Sequence, residues 1–217
     1  MKRIYLGSDT FDYGNLSELQ LEAEKHNINI DNFVRIGNYT TLERGSSLGA
    51  GCSIGIGCTI KKDCTIEKYC TIGSNTVIYS GTVIGKNTTI GEFVTIWKGV
   101  TISNGVTVGY YCKIGDNATI SKNLTILDRA RIDAGWKITK IFHVMKTYKY
   151  NASGYIVDGI IIIQMGCFTR TLKEWESDFW NNEDEFRRGS VAGEQRLVAY
   201  NKIKEVMEVE LAKITPS

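Results

Sequence analysis

A six-residue period runs through half of this chain and constrains its fold more than any other feature. Aliphatic residues recur at every sixth position from Ile30 to Ile138, in eighteen steps without a break. A second class of residue, mostly small, lies four positions after each aliphatic, from Val34 to Ala118. Because units of constant length stack as equivalent copies, this pattern predicts a regular coil with two inward side chains in each segment.

Five of the six cysteines fall at the second, mostly small position of the repeat. They are Cys52, Cys58, Cys64, Cys70 and Cys112. Zinc sites of the common type use pairs of ligands two to four residues apart, and a spacing of six does not provide such pairs. Since a free cysteine packs as a small hydrophobe, we expect these five thiols to be buried, reduced and free of metal.

Tight corners are predicted one residue before the second position. Residues that tolerate a positive φ angle dominate there. They are Gly45, Gly51, Gly57, Asp63, Asn75, Gly81, Asn87, Gly99, Gly105, Asn117, Asn123 and Gly135. A chain that turns sharply every six residues makes a triangular coil of three short strands.

Segments such as IGEFVTIW and IGDNATI resemble the hexapeptide-repeat family, whose members form left-handed parallel β-helices. The resemblance covers residues 30–138. It implies a mainly β fold of about six coils, since three hexads complete one coil. The handedness is implied by the family alone, because most crossover connections in proteins are right-handed.

Segments on both sides of the repeat complete three predicted domains: an N-terminal cap at 1–29, the β-helix at 30–138 and a small α+β module at 139–217. Covers are expected because both ends of a β-helix leave backbone groups unpaired. In the cap, the apolar stretch IYL precedes LSELQLEAEKH, where Ser17 and Gln20 have capping-box spacing and predict one short helix.

The C-terminal module contains strand-like segments that are broken at NASG and VDG. Thr171 and Glu174 predict a helix that starts near Leu172, and a second helix is predicted over 193–213. The stretch GCFTRTLKEWE in this module is similar to short modules that are appended to repeat proteins of phages and gut bacteria.

Charge and hydropathy argue against several kinds of partner. The formal net charge is +2, which is too small for an extended surface that tracks long nucleic acid. The chain has no apolar run of about 18 residues, the length that a membrane span requires, and its first residues show no secretion signal. We therefore expect a cytoplasmic protein with no membrane partner and no long nucleic-acid partner.

The family resemblance also implies an activity. Most familiar members are acyltransferases, which move an acyl group from coenzyme A or an acyl carrier protein and use a histidine of the coils as general base. This chain has two histidines, His26 and His143, and both lie outside the repeat. His143 is the alternative catalytic candidate, with acetyl-CoA or another acyl-CoA as the alternative cofactor. Carbonic anhydrases on the same coil bind zinc through three histidines, so no metal is expected here.

Residues 18 apart stack on adjacent coils, so columns of outward side chains can be predicted. One edge combines two aromatics with several cations: Lys61, Lys62, Tyr79, Trp97, Lys98, Lys113 and Arg131. The other two edges carry Lys68, Lys86 and Lys122, and Glu92, Tyr110 and Asp128, respectively. Aromatic planes beside Lys and Arg suit a nucleotide or another planar anion, because stacking and phosphate pairing then act together.

The aromatic edge has two interpretations, a ligand site or a contact of Tyr79, Trp97 and Val77 between subunits of a trimer. The first functional hypothesis is a homotrimer without catalysis or cofactor, which binds or sequesters a small anionic, nucleotide-like ligand in the clefts between subunits. A phage-encoded sponge for signalling nucleotides is one concrete case. The second hypothesis is an acyltransferase with an atypical base, and the third is a structural scaffold.

Overall fold

The structure of the chain is a computed structural model that describes residues 2–147, 150–165, 168–179 and 187–214. It divides into two compact units, Met1–Lys137 and Ile138–Ser217. The first unit contains the whole coil and the segment before it. The second contains the strands and helices that follow the last hexad.

The first unit begins with a hairpin and a helix. Strands β1 (Lys2–Leu6) and β2 (Asp9–Tyr13) are antiparallel, and helix α1 (Leu16–Lys25) follows. The predicted capping pair Ser17 and Gln20 is wrong, because the N-cap lies two residues earlier, at Asn15. Asn15 accepts a hydrogen bond from the backbone N–H of Glu18 (3.0 Å), and the Glu18 carboxylate accepts one from the N–H of Gly14 (2.8 Å).

The coil consists of eighteen short strands. Their bounds are β3 (Asn29–Ile30), β4 (Arg35–Ile36), β5 (Thr40–Leu42), β6 (Ser47–Leu48), β7 (Ser53–Ile54), β8 (Thr59–Ile60), β9 (Thr65–Ile66), β10 (Thr71–Ile72), β11 (Val77–Ile78), β12 (Val83–Ile84), β13 (Thr89–Ile90), β14 (Thr95–Ile96), β15 (Thr101–Ile102), β16 (Thr107–Val108), β17 (Lys113–Ile114), β18 (Thr119–Ile120), β19 (Thr125–Ile126) and β20 (Arg131–Ile132). Every third strand pairs in parallel, which gives three sheets: β1-β5-β8-β11-β14-β17-β20, β4-β7-β10-β13-β16-β19 and β3-β6-β9-β12-β15-β18.

The register between strands equals the predicted 18 residues. Val77 lies opposite Thr95 and Thr59, for example. The predicted parallel β-helix of about six coils is therefore confirmed, while its handedness stays a prediction from the family. Each aliphatic residue of the period, from Ile30 to Ile138, is buried, and so is each residue of the second position from Val34 to Ala118.

The corners of the coil have the predicted backbone conformation. All twelve Gly, Asn and Asp residues of the predicted corners have φ angles between 56° and 78°. Bulky residues take the same conformation at six other corners, which the residue types did not predict. They are Phe33, Tyr39, Tyr69, Phe93, Tyr111 and Arg129, with φ between 56° and 61°.

The second unit is an antiparallel sheet with two helices. Its strands are β21 (Lys137–Thr147), β22 (Tyr150–Val157), β23 (Ile160–Met165) and β24 (Phe168–Thr171), followed by α2 (Leu172–Asp178) and α3 (Val191–Ile214). The predicted helix start at Thr171 and Glu174 is confirmed, because the two residues form a reciprocal capping box. No helix in the described ranges is long and apolar enough to span a membrane.

The predicted break at NASG is wrong, because β22 runs through these residues. Gly154 packs under α3 instead of making a turn: a Cβ atom there would lie 2.8 Å from the side chain of Met207. The predicted break at VDG is a turn, with positive φ at Asp158 and Gly159. A core that includes Ile163, Trp175 and Met207 holds the sheet and helices of this unit together.

Candidate ligand-binding face

The sheet that contains β8, β11, β14, β17 and β20 presents its outward side chains in vertical columns. The first residue of each strand points outward, the second points into the core, and the residue after the strand points outward again. Two neighbouring columns result, Thr59–Val77–Thr95–Lys113–Arg131 and Lys61–Tyr79–Trp97–Gly115–Asp133. We call this surface the aromatic face.

Two aromatic rings stack on the aromatic face. The centroids of Tyr79 and Trp97 are 4.7 Å apart, and the ring planes differ by 17°. Trp97 is 41% exposed although Tyr79 covers one side of it. The two rings that the 18-residue spacing placed in one column are therefore in contact, and the indole retains a large accessible surface.

A cavity of about 420 Å³ opens beside Trp97. Its lining comes from the two coils beyond Trp97: Lys113, Gly115, Asp116, Arg131, Ile132, Asp133 and Ala134. Tyr79 lies on the coil before Trp97, so the cavity adjoins the indole on the side that Tyr79 does not cover. Predicted site residues Trp97, Lys113 and Arg131 are thus brought together around one concave surface.

The cations of the aromatic face differ in how far they are already neutralised. Lys61 pairs with Glu43 (Nζ to Oε1, 2.7 Å), and Arg131 pairs with Asp133 (Nε to Oδ1, 3.1 Å). Lys62, Lys98 and Lys113 form no ion pair within the described part of the chain. Lys61 and Lys62 do not line the cavity, whereas Lys113 does. Lys113 is therefore the cation best placed to meet an anion there.

The alternative catalytic candidate, His143, lies in the second unit on β21. Its Nδ1 is 2.9 Å from the hydroxyl of Ser153 on β22, and the ring is half-buried. The other histidine, His26, lies 3.7 Å from a carboxylate oxygen of Glu22. Among the described residues, no group of three His, Cys, Asp or Glu side chains is arranged to hold a metal ion.

The cysteines of the repeat are buried free thiols, as expected. Their S–H groups donate to carbonyls of the coil, as Cys64 does to Tyr79 (3.1 Å) and Cys112 to Leu127 (3.0 Å). Burial raises the pKa of the Cys58 and Cys64 thiols, and it raises the pKa of Cys112 to about 11. Cys58, Cys64 and Cys112 therefore stay protonated near neutral pH, whereas a hydrogen bond with Cys70 lowers the pKa of Cys52 to about 7. The sixth cysteine, at position 167, lies outside the described residues.

A second column of stacked side chains was not predicted from the sequence. Phe93 and Tyr111 stack with centroids 5.0 Å apart and planes 4° apart, and the Arg129 guanidinium lies 6.0 Å from the Tyr111 centroid. These residues occupy corners, where only turn formers had been expected. The spacing of 18 between positions 93, 111 and 129 is the signal in the sequence that indicates this column.

One comparison with known proteins matches within the repeat. The family model "Bacterial transferase hexapeptide (six repeats)" matches residues 45–86 and 63–96. A comparison with curated proteins gives no match.

Among solved structures, a mutant of perosamine N-acetyltransferase from Caulobacter crescentus, in complex with CoA and GDP-perosamine, is 19% identical with a TM-score of 0.30. The match covers 54% of this chain and 60% of that one. The acetyltransferase domain of PglB from Neisseria gonorrhoeae is 18% identical with a TM-score of 0.31, over 51% of this chain and 61% of that domain. The chain thus spans about three fifths of the length of these proteins.

Three observations concern the same segment. The hexad is unbroken from Ile30 to Ile138, each of its aliphatic residues is buried in a parallel coil, and the family model matches within it. Residues 45–96 of this chain therefore match the hexapeptide-repeat family model, within a repeat that the structure forms into a parallel coil.

Proposed function

We propose that this chain is a non-catalytic β-helix protein that binds a small, planar, anionic ligand of the nucleotide type on the aromatic face. One observation carries the proposal: the stacked pair of Tyr79 and Trp97 ends at a cavity that Lys113 and Arg131 line. A planar ring can extend the stack, and the two cations can pair with a phosphate attached to it.

The size and chemistry of the cavity support a ligand of this class. Small-molecule sites typically have volumes of about 300 to 1,000 Å³, and the cavity beside Trp97 has about 420 Å³. An exposed indole is a good stacking surface for a base, worth about 1–3 kcal/mol per base. Lys113 has no ion pair in the described part of the chain, so binding an anion does not require it to leave a carboxylate.

Self-association is part of the proposal. We expect a homotrimer with closed symmetry, in which the aromatic face borders a cleft between subunits, so that a neighbouring copy covers the open side of the cavity. In this arrangement the protein sequesters its ligand and releases it unchanged.

The test is a binding measurement by titration calorimetry with nucleoside monophosphates and dinucleotides. Trp97→Ala should weaken binding by about 1–3 kcal/mol, because the stacking surface is lost. Phe93→Ala is the matched control, since it removes a ring from the other stacked pair and should leave the affinity unchanged. Equal losses in both variants, or unchanged affinity in Trp97→Ala, would contradict the proposed site.

The contribution of charge is tested separately. Lys113→Gln should weaken nucleotide binding by about 1.5–3 kcal/mol, the value of a hydrogen bond to a charged group. Lys68→Gln is the control on another edge, where no change is expected. The ligand recovered after denaturation should be chemically identical to the ligand added, and acetyl-CoA should be neither hydrolysed nor used as a donor.

A second candidate is an acyltransferase, favoured by the description of the matching family model as that of bacterial transferases. In this case an acyl-CoA is the donor, and His143 is the candidate base. The hydrogen bond between its Nδ1 and Ser153 fixes the orientation of the ring, as a general base requires. His143→Ala should then abolish thioester turnover without unfolding the protein. Failure of both nucleotide binding and thioester turnover would favour the third hypothesis, a structural scaffold.

A further inference from the structure

A gap in the column of outward side chains defines the cavity beside Trp97. The column runs through Tyr79, Trp97, Gly115 and Asp133, one residue on each successive coil. Gly115 has no side chain, so the place next to the indole is empty at this level. The cavity is lined by the residues on both sides of the gap, Trp97 and Asp133.

The backbone keeps this place free of side chains. A Cβ atom at position 115 would lie 2.5 Å from the backbone nitrogen of Ala134 and 2.9 Å from its Cα. Contacts this short with a backbone cannot be relieved by rotating a side chain. A substitution at Gly115 therefore cannot fill the gap without moving the next coil.

The gap has the height of one aromatic ring. Adjacent coils are about 4.8 Å apart, and the 4.7 Å separation of Tyr79 and Trp97 follows this spacing. Trp97 and Asp133 are two coils apart, or about 9.6 Å. A ring halfway between them would be about 4.8 Å from the indole centroid, within the range for stacked aromatic pairs.

The two sides of the gap differ in charge. Lys113 and Arg131 lie in the column on one side, and Asp116 lies at the corner on the other. Asp116 is held by the backbone N–H of Lys98, which donates to its Oδ1 (3.1 Å). Asp133 accepts a hydrogen bond from Arg131 at its Oδ1 (3.1 Å). Among the described residues, the second oxygen of each carboxylate has no hydrogen-bond partner.

This polarity orients a nucleotide. Asp116 repels a phosphate, which therefore lies towards Lys113, the cation of the cavity lining that has no ion pair among the described residues. The edge of the base then faces acceptor oxygens that carry no hydrogen. An exocyclic amino group can donate to these oxygens, whereas a carbonyl oxygen at the same place is repelled by them.

We infer that the gap over Gly115 seats one nucleobase and selects bases with an exocyclic amino group, through Asp116 and Asp133. The inference rests on the proposed function, because it concerns the same face. It adds the ring position, the orientation of the phosphate and the class of base.

The experiment compares three purine nucleotides by titration calorimetry: AMP and GMP, which carry an amino group, and IMP, which does not. At least one of AMP and GMP should bind about tenfold or more tightly than IMP, as expected for a hydrogen bond to a charged acceptor. In the double variant Asp116→Asn with Asp133→Asn, this preference should fall below about threefold, because an amide is a weaker acceptor than a carboxylate.

Asp128→Asn is the matched control. Its carboxylate is held like that of Asp116, since Oδ1 accepts the backbone N–H of Tyr110 (2.9 Å), but it lies on another corner. It should retain the full preference. Circular dichroism should show that each variant keeps the β-sheet spectrum of the parent protein.

The outcomes separate the inference from the proposed function. If AMP, GMP and IMP bind equally and Trp97→Ala weakens all three, the proposed function stands and the amino preference is overturned. If the preference for AMP or GMP over IMP persists in the double variant, the carboxylates of Asp116 and Asp133 do not select the base, and the inference is also overturned. If none of the three nucleotides binds, the proposed function itself loses its support.

Discussion

Polar side chains at the second inward position repeatedly donate to the carbonyl fifteen residues later. Cys64 donates to Tyr79 (3.1 Å), Thr76 to Gly91 (2.9 Å) and Thr82 to Trp97 (3.0 Å). Cysteine and threonine make the same contact, whereas Val94, Val100 and Val106 occupy the position without a donor, so the position selects a small side chain and a γ donor there finds this carbonyl. Ser46 is the exception: its buried hydroxyl has no partner in the described structure.

The first prediction follows from the difference between the paired thiol of Cys64 and the unpaired hydroxyl of Ser46. Cys64→Ser should lower the free energy of unfolding by about 1–3 kcal/mol, because a buried hydroxyl without good pairing is costly. Cys64→Thr should cost less, since Thr82 occupies the equivalent place on the next coil. Urea denaturation at neutral pH measures both values. A serine variant as stable as the parent would show that a serine hydroxyl at this position pairs as well as the Cys64 thiol does.

The second prediction concerns pH. Burial raises the pKa of Cys112 to about 11, above the unfolded value of about 8.5. Between these values the folded protein binds more protons than the unfolded chain, so this thiol's contribution is complete below pH 8.5 and is lost as the pH rises towards 11. The free energy of unfolding should therefore fall more steeply over this range in the parent than in Cys112→Ala. Parallel curves would refute the assignment.

The identity of inward residues could be predicted from the sequence because a period of six leaves no alternative register. The corner residues were predicted only in part. Phe33 and Tyr69 have positive φ angles although their side chains favour other conformations. The pairing of every coil with its neighbours fixes the backbone there, and this long-range constraint outweighs a local cost of about 1–2 kcal/mol per residue.

The third prediction uses this strain. Phe33 has a φ angle of 61° and is 82% exposed, so its ring contributes little packing. Phe33→Asn should raise the free energy of unfolding by about 0.5–1 kcal/mol, because asparagine tolerates this conformation better. Phe33→Ala should give no such gain, since alanine is also strained there. Thermal and urea unfolding would measure the difference in stability between the two variants. Destabilisation by Phe33→Asn would mean that the Phe33 ring makes a stabilising contact.

At the scale of elements, the start of α2 is defined by a local signal. The backbone N–H of Glu174 donates to the Thr171 hydroxyl (3.3 Å), and the Thr171 backbone N–H donates to the Glu174 carboxylate (2.7 Å). The contact with Thr171 lowers the pKa of Glu174. Both partners lie three residues apart, which is why the sequence was sufficient to predict this helix start.

The fourth prediction tests this cap. Thr171→Ala should lower the free energy of unfolding by about 1 kcal/mol, since an orphan N–H loses its acceptor. Ser177→Ala, within the same helix, should have a smaller effect because its hydroxyl only donates to the Glu174 carbonyl (3.1 Å). Equal effects in the two variants would argue against a capping role for Thr171.

Other elements could not be predicted from local sequence. Asn15 and Glu18 have the same spacing as Ser17 and Gln20, and only the end of β2 at Tyr13 decides which pair caps α1. Strand β2 itself, with the polar sequence DTFDY, is paired along its length with β1. Its formation depends on a partner strand and not on its own pattern of hydrophobic residues.

At the scale of the whole molecule, the repeat makes part of the candidate site predictable. The spacing of 18 brings Tyr79 to Trp97 and Lys113 to Arg131 by arithmetic alone. The cavity could not be predicted, because it depends on how closely the coil at Ala134 approaches Gly115. The pairing of Lys61 with Glu43 reduces its value as a ligand contact, and that too required the structure.

The last prediction concerns assembly. Aromatic and aliphatic side chains that are more than half exposed lie at the corners of the coil, among them Tyr39, Ile56, Tyr69, Tyr110 and Tyr111. Exposed apolar side chains are frequent at interfaces, and closed threefold symmetry would bury such side chains without open-ended growth. Light scattering at micromolar concentration should give three times the chain mass of 24.3 kDa. A monomer mass across a dilution series would remove the clefts between subunits from the proposal, and the aromatic face would then have to bind its ligand with the cavity open to water.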